Sequence, residues 1–598
     1  MFQSFERRTR PDTVAPRLAA LRAEMAGRGL DGVLVPRADA WQGEYVAPRD
    51  ERLAWLTSFS GSAGIAAILT DQAALFVDGR YRLQAADETD TGLITPLAAK
   101  DTALDDWLAE RLGEGAVIGF DPWLHTAAAI ERLRGALAPA GITLRATGNP
   151  VDAIWTDRPP PPAAPVRPHP TDHAGKPHDE KRADIARALR TAGQRAVVLT
   201  APDSIAWLLN IRGGDIAHVP VAQAFAILHD DACTDLFIDP AKLDETVRAH
   251  LGRAVTCAPI DAFAPALAQL HTPVRLDPAR TPHEVARRLG EAGIAIAAGD
   301  DPCALPRACK NAAERAGARA AHLVDGAAMA EFLCWLDAAT PSGLTEIDVV
   351  TKLEECRRAS ERLRDISFDT IAAAGPHGAI VHYRVNRDSN RALAEGELVL
   401  VDSGGQYPEG TTDITRTIAI GSPPEALRAG FTRVLKGLIA LSAARWPAGL
   451  AGRDLDALAR APLWAAGEDY DHGTGHGVGS YLSVHEGPQR IARTGEAALE
   501  PGMIVSIEPG LYHEGEFGIR IENLALVEAA GPGTNGREMR RFRTLTRAPI
   551  DRRLIMTDML TPDERAWIDA YHGEVRADLG PRLSATAAAW LAETTRPL

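Results

Sequence analysis

ELVLVDSGGQYPEGTTDITRTIAIG, residues 397–421, decides the fold of the C-terminal half. The apolar run Leu398 to Val401 ends in Asp402, a glycine-rich turn follows, and Asp413 opens a β-branched return strand. Two such runs around glycines predict a β-hairpin with a carboxylate deep in each arm. A second stretch repeats the design. In MIVSIEPGLYHEGEFGIRIENLALV, 503–527, the apolar run Met503–Ile507 ends in Glu508, and Ile519, Ile521 and Glu522 come back on the returning strand. Taken singly, each acid reads as a solvated strand-end residue. As a set they read differently. A carboxylate that follows four or five buried apolar residues is partly buried, and an unpaired buried charge costs several kcal/mol. Arg416 and Arg520 are the only basic residues close to the four acids in sequence. Four carboxylates this poorly matched call for metal ions.

DYDHGTGHGVG, residues 469–479, supplies the matching nitrogen. His476 adds an imidazole to hard oxygen ligands, and two Asp, two Glu and one His suit a pair of divalent ions such as Mn²⁺, Co²⁺ or Zn²⁺. Gly475 and Gly477 are expected to let backbone approach metal and substrate without a Cβ in the way. His472 and His476 have the i, i+4 spacing of a helical zinc pair, but the intervening Gly-Thr-Gly argues against a helix. A phosphate loop would need GxGxxG spacing or a GK[ST] ending, and neither is present. His382 in GPHGAIVHYR and His485 in YLSVHEGP lie in similar contexts, although a lone histidine is more often a packing residue. The chain has no GxSxG elbow, and no cysteine in a histidine context like that of a thiol protease.

Outward from these motifs, the chain divides. RPPPPAAPVRPHP, 158–170, carries seven prolines in thirteen residues and reads as a semi-rigid linker; an SH3-type ligand is the other reading. The segments on either side echo each other. LAALRAEMAGRGLDGVLVP (18–36) and DIARALRTAGQRAVVLT (184–200) are each an amphipathic helix followed by an apolar strand. AALFVDGR (73–80) is matched by TDLFIDPA (234–241). Two copies of one α/β domain explain this. The expected boundaries are 1–157, the linker 158–170, 171–305, and a third domain 306–598. That third domain begins on the helical pattern KNAAERAGARAAHLVDGAAMAEFLCWL (310–336) and ends in polar helices after about 550 with structural or assembly roles.

Bulk properties bound the function. The 598 residues are too many for one core, and 45% apolar with 24% charged residues is ordinary globular composition. A net charge of −15 argues against nucleic acid or anionic membrane as partner. No apolar run would span a bilayer, and the N-terminal stretch lacks a secretory apolar region, so a cytoplasmic location is expected. The six cysteines form no CxxC and read as reduced core thiols.

The motifs VDSGGQY, TTDITRT, HGTGHGVG, SIEPG and RIEN, in that order, resemble those of the pita-bread metallopeptidases of family M24. Within that family the closest resemblance is to the long, three-domain Xaa-Pro aminopeptidase type. DAWQGEYVAPRDERLAWLTSFSGSAG and DGRYRLQAA resemble its first domain, IAWLLNIRGGDI its second, and KNAAERAGARAAHLVDGAA the start of its third. The resemblance implies an α/β (α+β) fold of two creatinase-like N-terminal domains and a pita-bread catalytic domain. It implies five metal ligands, Asp402, Asp413, His476, Glu508 and Glu522, with Asp413 and Glu522 bridging two divalent ions. Mn²⁺ is the first expectation, with Co²⁺ or Zn²⁺ as alternatives. Glu508, besides being a ligand, would take the proton of the water that becomes a hydroxide shared by the ions and pass it toward the leaving proline nitrogen. His382 and His485 would contact substrate, and His472 and Arg520 would stand behind them. The implied reaction removes the first residue from short peptides with proline in second position, and the implied assembly is a homodimer. A prolidase of the same fold and a non-catalytic binding module are the alternatives. Trp464 is an interface candidate, with a core tryptophan as the other reading.

Overall fold

Helix α1 (Val14–Gly27) turns Val14, Leu18, Leu21 and Met25 inward at helical spacing. They pack on the sheet that the next apolar run begins. Strands β1 (Gly32–Pro36), β2 (Ile65–Leu69), β3 (Ala73–Val77), β4 (Thr95–Ala98), β5 (Val117–Phe120) and β6 (Thr143–Ala146) form one sheet in the order β4-β3-β2-β1-β5-β6. Along β1, Val33 and Val35 join the cluster under α1, while Leu34 joins a second cluster with Phe120 and Trp107. Both faces are therefore covered, which is why the run is continuously apolar rather than alternating.

The next 150 residues build the same sheet again. Helix α2 (His178–Thr191) precedes β7 (Ala196–Leu199), β8 (Phe225–His229), β9 (Thr234–Phe237), β10 (Val255–Ala258), β11 (Val274–Leu276) and β12 (Ile296–Ala298), in the order β10-β9-β8-β7-β11-β12. In both sheets the first strand pairs antiparallel with the second and the second antiparallel with the third. The remaining pairs are parallel in both. The proline-rich segment between them is fastened rather than free. Arg158 ion-pairs with Asp50 and Asp152, Val166 donates its N–H to Lys242, and Arg167–Pro168 pair with Ile211–Arg212.

The structure, a computed structural model, describes residues 1–339 and 343–598. It resolves into two compact units, 8–304 and 305–598, and the first seven residues group with the second. In the second unit, helices α3 (Ala312–Ala339) and α4 (Glu346–Arg358) cover a three-stranded antiparallel sheet of β13 (Ile371–Ala374), β14 (Leu398–Ser403) and β15 (Ile414–Ala419). Helix α5 (Glu425–Ser442) backs a six-stranded antiparallel sheet. Its strands are β16 (Arg445–Pro447), β17 (Gly475–Gly477), β18 (Glu486–Ile491), β19 (Ile504–Ile507), β22 (Asn523–Pro532) and β23 (Glu538–Thr544). Their order is β16-β23-β22-β19-β17-β18. Between β19 and β22 the chain makes a separate two-stranded ribbon, β20 (Gly510–His513) with β21 (Phe517–Arg520). The C-terminal helices are part of the core: Ile568, Tyr571, Val575 and Leu591 pack with Val434 and Leu438.

Two expectations need correcting. The cysteines are unpaired, but only Cys303 is buried, and Cys233 is exposed. The other four are half-buried, Cys334 and Cys356 among them on helices α3 and α4. Trp464, the last residue of helix Asp456–Trp464, is 45% exposed, so it is not a core tryptophan.

His125 carries a pH prediction. It is buried within the 8–304 unit, and burial pushes its imidazole down to about 4, with His283 lowering it further and a Leu34 backbone bond opposing. The folded state therefore holds a neutral ring, whereas the unfolded chain binds a proton below about 6.5. Stability is fully present above that pH and falls toward pH 4, by up to about 1.4 kcal/mol per pH unit. Thermal melts across this range should flatten in His125→Phe; an unchanged slope refutes the assignment.

Candidate active site

The two hairpins do bring their acids together, through a joint the sequence does not announce. In the first, Asp402 lies opposite Thr415 in the β14–β15 ladder, and Asp413 immediately precedes β15. Both are buried. In the second, β19 pairs with β22 through Ile507↔Asn523, and Glu508 and Glu522 lie just outside that ladder. The expectation that Glu522 sits on the returning strand is therefore wrong. It occupies the joint where the chain leaves the β20–β21 ribbon and enters β22. Its N–H bonds Thr415 O of the other hairpin (3.1 Å), and Thr415 Oγ1 donates to its carboxylate (2.9 Å). The Glu508 N–H likewise leaves its own ribbon and bonds Thr474 O (2.8 Å). At both joints the backbone N–H bonds a distant segment, Thr415 on β15 or Thr474 just before β17.

His476 lies on the short strand β17, paired to β18 and β19. Its N–H bonds Ser506 Oγ (2.9 Å), and its Nδ1 lies 2.9 Å from Gly477 O. With Nδ1 turned to a carbonyl, Nε2 faces the acids, 3.5 Å from Asp413 and 3.6 Å from Glu508, and is the nitrogen a metal would take on losing its proton. Burial works against a charged ring here, but bonding to Asp413 and the Glu508 charge raise it to about 9. Asp413, His476 and Glu522 each offer one ligand atom, and these atoms lie within 4.8 Å of one another. Asp402 Oδ1 and Asp413 Oδ1 are buried without a hydrogen-bond partner. Burial raises Asp402 to about 6 against the pull of Arg520, with Asp413 and Glu508 adding repulsion. Burial and the same neighbours push Glu522 well above the carboxylate range. Buried hard oxygens short of partners, with one imidazole nitrogen facing them, are a donor set that could hold divalent cations.

A chain of hydrogen bonds stands behind Asp402. Arg520, fully buried, pairs with it (2.6 Å) and donates to Tyr512 Oη (2.8 Å), to Thr415 Oγ1 (3.2 Å) and to Val381 O (3.4 Å). Tyr512 Oη lies 2.9 Å from His472 Nε2, whose Nδ1 faces Gly473 O. Burial raises the Tyr512 phenol to about 12, so it stays protonated and can donate to His472. Tyr512 escaped the sequence reading because its partners, His472 and Arg520, are 40 and 8 residues away, and no local pattern marks it. His485 stands perpendicular to His476 with ring centroids 4.4 Å apart. The next residue, Glu486, is fully buried against Lys310 and Arg307. His382 is half-buried, next to the Val381 carbonyl that Arg520 holds.

Glu346, the first residue of α4, fixes the turn before His382. Its buried carboxylate accepts from Ala374 N (2.8 Å) and Tyr383 Oη (2.9 Å) and lies 2.8 Å from His377 Nδ1. Arg416, by contrast, is not a counter-ion for the acids. Its guanidinium bonds the carbonyls of Thr415, Glu522, Ala548 and Pro549 and the Tyr571 hydroxyl, so it ties the C-terminal helices to the hairpins.

The glycines also differ from expectation. A Cβ on Gly475 would overlap Ser506 O, and one on Gly477 would overlap Glu486 O and the Gln489 amide. The missing side chains let strands close around His476; they do not open a path for substrate. Gly475→Ala is accordingly expected to destabilise the second unit by about 1–3 kcal/mol or more through overpacking. A variant with normal melting but weakened metal binding would restore the original reading.

The comparisons with known proteins meet this geometry. The Metallopeptidase family M24 description matches residues 316–529, and the C-terminal region of that peptidase matches 538–598. The Creatinase/Prolidase N-terminal domain matches twice, at 17–154 and 157–314. A probable Xaa-Pro aminopeptidase P of Talaromyces stipitatus is 38% identical over 605 residues, covering 97% of this chain and 92% of that protein. The chain belongs to the aminopeptidase P family. The crystal structure of the X-prolyl aminopeptidase from Caenorhabditis elegans, described as a cytosolic enzyme with a di-nuclear active site, superimposes with a TM-score of 0.94. It is 34% identical and covers 98% of this chain and 100% of that one. The prolidase from Pyrococcus horikoshii, 25% identical with a TM-score of 0.51, covers only 62% of the chain. The full aminopeptidase P architecture, two creatinase-type domains and an M24 domain, is present. No helix among the described residues is long and apolar enough to cross a membrane.

Proposed function

We propose that this chain hydrolyses the N-terminal Xaa-Pro bond of peptides with proline in second position, releasing the first residue. The observation that carries the reading is the cluster of Asp413, His476 and Glu522, with unpartnered Asp402 and Asp413 oxygens beside it, in a chain that matches an aminopeptidase P over 97% of its residues. Two divalent ions fit that donor set. Asp413 and Glu522 would lie between them, His476 and Glu508 would complete one site, and Asp402 the other. Mn²⁺ is the expected ion, with Co²⁺ or Zn²⁺ able to replace it. When bound, such ions lower the pKa of water and polarise the scissile carbonyl.

The protein's own groups do the rest. Ser506 Oγ donates to one Glu508 oxygen (3.1 Å), which orients the carboxylate. Glu508 takes the proton from the attacking water and returns it to the proline nitrogen as the C–N bond breaks. That nitrogen carries no N–H, so the site cannot rely on the donor that ordinary peptide bonds offer. His485 and His382 face the substrate and stabilise the oxygen that becomes negative. Arg520, Tyr512 and His472 keep Asp402 in one orientation. Short peptides are the expected substrates, the cytoplasm the expected compartment and a homodimer the expected assembly.

Mass spectrometry on metal-stripped enzyme tests the reading. Mn²⁺, Co²⁺ or Zn²⁺ is added in turn to an Arg-Pro-Pro peptide and to Gly-Pro. Metal-dependent loss of arginine alone from the longer peptide supports it. Cleavage of the dipeptide alone makes the chain a prolidase, and no cleavage with any ion refutes catalysis.

A further inference from the structure

Residues 1–7 precede the first α/β sheet in sequence but fold with the 305–598 unit. Their attachments are specific. Phe2 donates its N–H to both oxygens of Glu354 on α4 (3.0 and 2.9 Å). The Gln3 side chain, buried, makes a two-point bond with one backbone position: Nε2 donates to Thr370 O (3.1 Å) and Oε1 accepts from Thr370 N (2.8 Å). The Phe5 ring packs on the cluster that holds Val385 and Tyr383, and Phe5 O accepts from Arg387 N (3.0 Å).

Thr370 and Arg387 are the two ends of one segment. Between them lie β13, the turn Gly375–Ala379, and His382. The interior of the segment is held by Glu346, through Ala374 and Tyr383, and by Arg520, through Val381. Its ends are held by Gln3 and Phe5. Without them Thr370 loses both side-chain bonds and Arg387 loses the partner of its N–H. The β13–β14 ladder still holds Ile371–Ala374, but the run from His382 to Arg387 would lose its anchor at the Arg387 end, and Thr370 its clamp at the other.

We propose that Gln3 and Phe5 are positioning residues for the hydrolytic reaction, a strap that pins both ends of the segment carrying His382. The proposal rests on the catalytic reading of His382 given above. It places residues more than 360 positions from the site in sequence within the machinery that orients it.

Gln3→Met keeps the length and apolar bulk of the side chain and removes both hydrogen bonds. In the full-length enzyme it should lower kcat on Arg-Pro-Pro about ten-fold with KM within about two-fold, as expected when a catalytic group is misplaced rather than binding lost. Metal content should not change. Glu6→Ala, which removes only an exposed pair with Arg387, is the control and should leave both constants unchanged. Hydrogen exchange of amides 380–390 should accelerate in Gln3→Met and not in Glu6→Ala. A kcat within two-fold of the parent, or exchange that rises throughout the unit, overturns the proposal. Should the parent itself fail to cleave Arg-Pro-Pro, the functional reading is what falls. The exchange experiment then still decides whether the strap orders the segment: acceleration confined to 380–390 supports it, and none refutes it.

Discussion

Glu522→Gln should lower turnover of an Arg-Pro-Pro peptide by at least about 10³-fold, about 4 kcal/mol of barrier, because it removes a charge from the proposed metal site. The same change should leave the metal-free protein as stable as the parent, or more so. Burial and the charges of Asp413, Glu508 and Asp402 already push Glu522 well above the carboxylate range, which favours its uncharged form when no metal is bound. A glutamine has the shape of that neutral acid and can still accept from Thr415 Oγ1. The two effects therefore separate: added Mn²⁺ should raise the parent's melting temperature and not the variant's. A variant that keeps turnover, or one that melts well below the metal-free parent, contradicts the account.

Arg520→Met should cost the fold as well as the reaction. Arg520 is fully buried and serves Asp402, Tyr512, Thr415 and Val381 at once. Removing it leaves a buried carboxylate without its cation, which costs about 3–5 kcal/mol in comparable sites. Asp402, now held near 6 by the balance of burial against Arg520, should titrate higher still. Turnover should be lost together with a drop in the melting temperature of the metal-free protein. Arg520→Lys keeps the charge but cannot reach four partners from one ammonium, so it should recover part of the stability and little of the activity. If Arg520→Met melts like the parent, the buried pair is not what holds Asp402.

The sequence reveals more of this site than of its supports. Asp402, Asp413, Glu508 and Glu522 are legible because each ends or opens an apolar run, and His476 because glycines crowd it. The twin sheets are legible because helix and strand patterns recur in the same order. What stays hidden depends on distant pairing. Tyr512 and Glu346 have no local signal, since Glu346 meets partners 28 to 45 residues away. Glu522 is misplaced by a strand reading because a hairpin that changes sheets looks, in one dimension, like one that does not. Gly475 and Gly477 are noticed for the right reason, close approach, but the approaching atoms are neighbouring strands. Arg416 is near the acids in sequence, yet it turns toward carbonyls of the C-terminal segment.

The strap also sets an order of events during synthesis. Gln3 is made 367 positions before Thr370. At about 5–20 residues per second the N-terminal segment waits about 20–70 s before its site exists. The two α/β sheets can close in that interval, while the segment bearing His382 cannot be finished until Gln3 and Phe5 return to it. Newly made protein should therefore acquire activity last, after its front half is already folded.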